Sequence, residues 1–285
     1  MNIFWPCSVE SYNQLLDVAN WLILLQEKYN IFDDLYLRWW CWKPRTKPWN
    51  FEWLWIEWWD IMLKVREKTW LKIITEIWTI EHLKYCLDNH FDGIWIWARN
   101  SSSPFFVEEV IEIIKEYWKE DILIWIKNCL AEDYELIEWI IERFKNKWLN
   151  NLVLIHRWFT IDKTFINNLK QQNFDLYKQF ITLRNSLLFN EENKNNDDNF
   201  IELIWNVRNI PRFDNLKEIA NKYNIKLLND YSHICWNKEL VKLLIKIMWI
   251  NDTMIEIHND AENALTDKKQ QISTNELEEL IKKDS

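Results

Sequence analysis

Short apolar runs alternate strictly with longer amphipathic ones along this chain of 285 residues. The apolar runs predict strands near 2–5, 34–39, 71–76, 93–97, 122–126, 151–156, 225–229 and 252–257. Helical periodicity predicts helices near 9–29, 54–69, 80–89, 105–119, 132–148, 213–223, 238–248 and 274–283. Parallel strands need a crossover connection, and each predicted helix supplies one. Repetition of the unit eight times points to an α/β fold, a (β/α)8 TIM barrel. One segment breaks the rhythm. Residues 161–206 are rich in Asn, Lys and Gln, and Glu191 to Asn199 is almost wholly polar. This reads as a long insertion between strand six and helix six. Its composition favours a tolerated expansion over a cover for the barrel mouth. The first strand starts at once and the last helix closes the chain, so one domain over 1–285 is expected, with neither an extension nor a second domain.

Composition adds an anomaly. The chain has 22 tryptophans and one glycine, where average usage would give roughly twenty glycines. Trp70, Trp118, Trp148 and Trp249 each follow an amphipathic helical run. That is the position just past a helix end where the backbone turns left-handed and glycine is the usual residue. An indole has no reason to prefer it. Most of these tryptophans are therefore read as glycines, encoded by UGA in a genome that decodes it as glycine. The abundance of Asn, Lys and Ile fits an AT-rich genome of that kind.

The formal charge of −9 argues against a nucleic-acid-binding surface. Five scattered cysteines, Cys7, Cys41, Cys86, Cys129 and Cys235, read as a reduced cytoplasmic chain. The N-terminus lacks a signal-peptide pattern, and the apolar stretches are of strand length, so no membrane association is expected.

Barrel enzymes carry their chemistry at the C-terminal ends of the strands. Here every predicted strand end delivers a polar or ionisable group. Strands seven, eight and one become neighbours on closure and bring His233, Glu256, Asp267 and Cys7 together, a mixed donor set suited to a divalent transition metal. Strands two, four, five and six bring Arg38, Lys43, Arg45, Arg99, Lys127 and Arg157. Cations converging on one face of an acidic chain imply small, multiply charged anions, most simply phosphates. Strand three ends at Thr75 and Glu76. His82 and His90 read as surface or packing residues. His156 and His258 lie beside the site rather than among the ligands, and Cys41, Cys86, Cys129 and Cys235 are not assigned as ligands.

With tryptophan read as glycine, the strand ends become G-P-C-S-V-E-S from Trp5, R-G-G-C-W-K-P-R-T-K-P from Arg38, F-E-G-L-G from Phe51, I-G-A-R-N from Ile96, H-R-G-F from His156 and S-H-I-C-G from Ser232. The chain then resembles 3-deoxy-D-arabino-heptulosonate 7-phosphate (DAHP) synthase, of the type related to 3-deoxy-octulosonate 8-phosphate synthases, over nearly its whole length except 161–206. The likeness is greatest to the subgroup with W-K-P-R-T, V-K-N, H-R-G-F and D-x-K-Q-Q, the last present as Asp267 to Gln271. By this comparison Trp42 and Trp95 are genuine tryptophans, with Trp59 a further candidate. The segment Lys43 to Thr46 favours erythrose 4-phosphate as the acceptor. The alternatives are an octulosonate-phosphate synthase using arabinose 5-phosphate, and a non-catalytic homologue. Three departures surround His233: Tyr231 stands where the family has proline, Asn229 where a small or apolar residue is common, and Cys235 where a small residue is usual.

The resemblance implies condensation of phosphoenolpyruvate with erythrose 4-phosphate, the first step of the shikimate pathway to aromatic amino acids. It implies one divalent ion (Mn, Fe, Co or Zn) on Cys7, His233, Glu256 and Asp267, polarising the aldehyde. Arg99, Lys127 and Arg157 would hold phosphoenolpyruvate. Arg38 and Lys43 would lie between the substrates, with Lys43 delivering a proton to the aldehyde oxygen. Arg45 and Thr46 would bind the acceptor's phosphate. For Glu76, orienting the basic groups and positioning a water both stay open. Family members are commonly dimers or tetramers, so a homo-oligomer is expected.

Overall fold

The computed structural model describes residues 1–7, 10–30, 34–39, 55–127, 133–157, 213–235, 237–248 and 252–282, together with 171, 174, 175 and 178. Its elements are β1 (Asn2–Trp5), α1 (Tyr12–Tyr29), β2 (Leu35–Trp39), α2 (Trp55–Thr69), β3 (Lys72–Ile77), α3 (Ile80–Asp88), β4 (Gly93–Ile96), α4 (Pro104–Glu116), β5 (Leu123–Lys127), α5 (Tyr134–Asn146) and β6 (Leu152–His156). After the long connection come α6 (Phe213–Lys222), β7 (Lys226–Asp230), α7 (Tyr231–Cys235), α8 (Lys238–Met248), β8 (Thr253–His258), β9 (Ile272–Ser273) and α9 (Thr274–Lys282). Strands β1 to β8 pair in sequence order, all parallel, and β8 pairs back onto β1 with Glu256 opposite Trp5. The barrel is closed and is the (β/α)8 fold expected from the alternation. The long connection falls between β6 and α6, also as expected. The segment 161–206 otherwise lies outside the described residues. The five-residue α7 and two-residue β9 were not expected, because elements that short carry no periodicity to read.

Side chains alternate across each strand. One set faces the helices in a large apolar layer that includes Phe4, Leu37, Ile73, Ile94, Ile124 and Leu154. The other set fills the barrel: Ile3, Trp5, Tyr36, Ile74, Trp95, Trp125, Val153, Ile155, Leu228 and Met254. Three indoles in one barrel interior need room, and the lone glycine provides some of it. Gly93 lies opposite Leu123 across the β4–β5 ladder. A Cβ at Gly93 would run into the six-membered ring of Trp125 and come within 2.7 Å of the Leu123 carbonyl oxygen. Trp125 therefore occupies space that only glycine leaves open. Its ring also meets Tyr36 edge-on at 5.4 Å. Outside the barrel, Trp59 is buried and stacks on Tyr85 at 4.5 Å. His82 is buried beside it, edge-on to both Trp59 and Trp78.

The helices begin and end by local rules. Ser11, Thr79, Ser103 and Asp133 each accept a hydrogen bond from the backbone N–H three residues on, as N-caps do. Past the helix ends the backbone is left-handed at Asn30, Trp70, His90, Trp118, Trp148 and Asn224, with φ between 49° and 69°. After α4, Trp118 N–H reaches the Lys115 carbonyl and Lys119 N–H reaches Ile114. After α5, Trp148 N–H reaches Lys145 and Leu149 N–H reaches Phe144. This paired pattern recurs after α3 at His90 and after α6 at Asn224, and it satisfies carbonyls that the helix leaves orphaned. Asn tolerates the left-handed region; a bulky side chain does so at a cost. Trp70, Trp118 and Trp148 gain nothing in return, since they are 88%, 83% and 80% exposed. Trp249 lies outside the described residues. No helix among those described is long and apolar enough to cross a membrane.

Replacing Trp70, Trp118 or Trp148 with glycine is expected to stabilise the chain as written by about 1 kcal/mol each, the usual cost of left-handed backbone for a residue with a Cβ. Urea unfolding of the single variants measures this, and an unchanged midpoint would count against it.

Candidate active site

At the C-terminal rim of the barrel the interior residues turn polar. Trp5 and Glu256 are cross-strand partners, so Cys7, two residues beyond β1, sits beside the end of β8. Donor atoms of Cys7, Glu256 and Asp267 lie within 4.8 Å of one another, and Cys7 Sγ is 2.7 Å from Asp267 Oδ2. His233, on α7, presents Nε2 at 3.9 Å from Glu256 Oε1. Its other ring nitrogen, Nδ1, is 2.9 Å from Asp230 Oδ2. Cys7, Glu256 and Asp267 thus cluster, and His233 stands beside Glu256 at the edge of that group. A thiol, an imidazole and two carboxylates are a donor set that fits a borderline divalent ion such as zinc, iron, cobalt or manganese.

Amides hold two of these groups in place. Gln270 Nε2 donates to Glu256 Oε2 at 2.6 Å, and Cys7 N–H donates to Gln271 Oε1 at 3.0 Å. Gln271 Nε2 in turn donates to the Thr266 carbonyl, and Glu256 N–H donates to Ser232 Oγ. Burial drives the His233 pKa down to about 3, against the pull of Asp230, so the ring is neutral at pH 7 with a lone pair available. Tyr231, at the position of the family's proline, is buried at the head of α7 and leaves His233 facing Glu256. Asn229 Oδ1 accepts from His156 Nδ1 at 3.3 Å, which explains a polar residue there.

Across the mouth lie buried cations. Arg38, Glu76 and Lys127 are almost completely inaccessible, and Arg157 is buried beside them. Glu76 pairs with Lys127 Nζ through Oε1 and stands 3.8 Å from Arg38 Nη2 through Oε2. Arg38 lies over the Trp95 ring at 4.0 Å, and Lys127 Nζ over the same ring at 4.2 Å. Burial pushes Arg38 down to about 10 and Lys127 well below its ordinary value; Arg157 and Arg38 push Lys127 further down and Glu76 opposes them. Glu76 is shared between Lys127 and Arg38, and Asp230 Oδ2 lies 4.0 Å from Arg157 Nε, so each buried cation stands near a carboxylate. Trp5 sits between the two halves, stacked on His233 at 6.1 Å and beneath Arg38 at 4.6 Å.

Of the other residues named from the sequence, Arg99 is exposed at the end of β4, over the Trp97 ring at 4.7 Å, and is not drawn into the buried group. Lys43, Arg45 and Thr46 lie outside the described residues, as do Trp42, Cys41 and Cys129. His258 contacts Gln14 and Glu10, and His82 packs among aromatic rings, so neither joins the donor set. Cys86 and Cys235 are buried and form no disulfide. Sequence reasoning gave no role to Asp230, although the sequence places it three residues before His233, where a carboxylate at the end of a strand can cap the following turn.

The fold and site define a (β/α)8 barrel with a metal-binding type of donor set on one side of its mouth and buried cations on the other. Comparison with known proteins adds a partial family match and a shared fold. Residues 2–115 match the sequence model of the DAHP synthetase I family. A crystal structure of phospho-2-dehydro-3-deoxyheptonate aldolase (DAHP synthase) from Thermotoga maritima superposes with a TM-score of 0.71 and 20% identity, over 99% of this chain and 67% of that one. A truncated form of 3-deoxy-D-arabino-heptulosonate 7-phosphate synthase from the same organism gives 0.68 and 19%, over 99% and 84%. At such identities the structural likeness is one of fold. No curated protein sequence is a significant match. The family match spans 114 of the 285 residues, and the solved structures share the barrel fold.

Two outcomes follow from the buried charges. Glu76→Ala strands buried cations without their carboxylate and is expected to cost about 3 kcal/mol or more of stability by urea unfolding. Burial lowers His156 and His82 from 6.5 to about 4. Below pH 6.5 the unfolded chain takes up these protons and the folded chain does not, so stability falls as pH drops towards 4. The slope is about 1.4 kcal/mol per pH unit for each such histidine. His156→Gln is expected to reduce the stability difference between pH 7 and pH 5, and an unchanged difference would contradict this account.

Proposed function

We propose that this chain, as a single barrel domain, is a DAHP synthase that joins phosphoenolpyruvate to erythrose 4-phosphate and releases inorganic phosphate. The observation that carries the reading is one barrel mouth with two facing halves, the Cys7–His233–Glu256–Asp267 donors and the buried cations Arg38, Lys127 and Arg157. A divalent ion (Mn, Fe, Co or Zn) held by those four donors would act as a Lewis acid on the acceptor's aldehyde. The protein's own groups do the rest. Lys127 and Arg157, with Arg99 closing from the rim, hold the phosphate and carboxylate of phosphoenolpyruvate, and a bound dianion favours the charged form of Lys127 against the burial that lowers its pKa. Arg38 lies between the substrates. Glu76 keeps Arg38 and Lys127 oriented. Lys43 protonates the nascent alkoxide while C3 of phosphoenolpyruvate attacks the aldehyde carbon. Water adds at C2, and the hemiketal phosphate collapses with loss of phosphate. Arg45 and Thr46 bind the acceptor's phosphate. Assembly as a dimer or tetramer and a cytoplasmic location belong to the same reading.

The reading requires space where Trp5 now lies between His233 and Arg38. Glycine at position 5 supplies that space. Left-handed backbone at three exposed tryptophans supports UGA decoded as glycine at most of the tryptophan positions. Trp59 and Trp95, packed in the core, and Trp42 in the W-K-P-R-T segment, remain tryptophan.

Peptide mass spectrometry of the native protein is expected to find glycine at positions 39, 40, 97, 70, 118 and 148, and tryptophan at 42, 59 and 95; tryptophan throughout would overturn the recoding. For the activity, the glycine-bearing protein is expected to release phosphate from phosphoenolpyruvate with erythrose 4-phosphate and to stop when metal is chelated. Turnover with arabinose 5-phosphate instead would make it an octulosonate-phosphate synthase. Stoichiometric metal with neither sugar phosphate turned over would leave a non-catalytic homologue.

A further inference from the structure

Asp230 belongs neither to the donor set nor to the cations, yet it touches both. It ends β7, is completely inaccessible to solvent, and uses its two oxygens differently. Oδ1 accepts from the His233 backbone N–H at 3.2 Å, capping the short helix α7. Oδ2 lies 2.9 Å from His233 Nδ1 and 4.0 Å from Arg157 Nε. A buried carboxylate is costly unless it is paired. The groups that face it here are His233, Arg157 and Arg38.

Resting on the metal site proposed above, we propose that Asp230 is the positioning residue that locks His233 and Arg157 into one geometry, so that the metal side and the anion side of the mouth form together. Oδ2, 2.9 Å from Nδ1 but not aligned as a hydrogen bond, favours a proton on Nδ1 through its charge and leaves Nε2 on the Glu256 side, 3.9 Å away. A histidine ligand aimed by a carboxylate on its other nitrogen binds metal more tightly and in a fixed orientation. The same oxygen lies 4.0 Å from Arg157 Nε, at the limit of ion pairing, and so couples that cation's position to the ligand's by charge. The helix cap alone does not require Oδ2, so the two roles are separable.

The separation is made with Asp230→Ser, which keeps a short capping oxygen and cannot reach Nδ1, and Asp230→Asn, which keeps shape and removes charge. The probe is Co(II), titrated into the glycine-bearing full chain and read by its visible absorption bands. Asp230→Ser is expected to bind Co(II) on the order of 10–100-fold more weakly, with altered bands, and to raise KM for phosphoenolpyruvate as Arg157 loses its anchor. Asp230→Asn is expected to lose several-fold in Co(II) affinity. A folded Asp230→Ser with wild-type affinity and bands overturns the proposal. Should that variant not fold, Asp230→Asn decides, and unchanged affinity and bands there overturn it equally. Wild-type protein that binds no Co(II) removes the metal reading and this proposal with it, whereas binding by wild type and variants alike removes this proposal alone.

Discussion

Pairing of β1 with β8 is the contact on which the site depends. Until that ladder closes, Cys7 and Asp267 are 260 residues apart in a chain whose other strands pair only with sequence neighbours. Closure sets Trp5 opposite Glu256, and the thiol just beyond Trp5 then meets the carboxylates of β8 and its following turn. It is also the most non-local pairing in the fold, so its loop-closure entropy is the largest any strand pair must overcome. Apolar layers on both faces of the barrel wall repay it.

Charge in the barrel follows from the same closure. Inward residues at the strand ends have nowhere to go except the mouth, where Arg38, Glu76, Lys127, Arg157, Asp230 and Glu256 are all buried. Such a group of ions is tolerated because each carboxylate faces more than one cation or ligand: Glu76 between Lys127 and Arg38, Asp230 between His233 and Arg157. The aromatic ring of Trp95 beneath Arg38 and Lys127 offers further electrostatic compensation. A site built this way holds its charges in fixed positions at the expense of stability.

The tryptophans divide by backbone and burial rather than by neighbours in sequence. Trp70, Trp118 and Trp148 stand at positions equivalent to Asn30, His90 and Asn224, past helix ends where the chain must reverse its hand. Trp59, Trp95 and Trp125 are instead enclosed, and the last depends on the missing side chain of Gly93. Helix-end geometry is local, so the first group could be recognised from sequence spacing. The Gly93–Trp125 fit is a cross-strand matter that spacing does not reveal.

By itself the sequence determined the elements and their order, because periodicities of 2 and 3.6 residues are local properties written in the apolar pattern. It also determined which residues stand at or just past the strand ends, Cys7, His233, Glu256, Asp267, Arg38, Lys127 and Arg157 among them. The tertiary structure alone decided how those groups face one another. That Arg99 stays exposed while Lys127 is sealed, that Gln270 and Gln271 brace Glu256 and Cys7, and that Asp230 joins His233 to Arg157 are outcomes of side-chain direction and distance in the closed barrel. Distances of a few ångströms between residues far apart in sequence exist only after packing has fixed both backbone and rotamers, and no one-dimensional pattern encodes them.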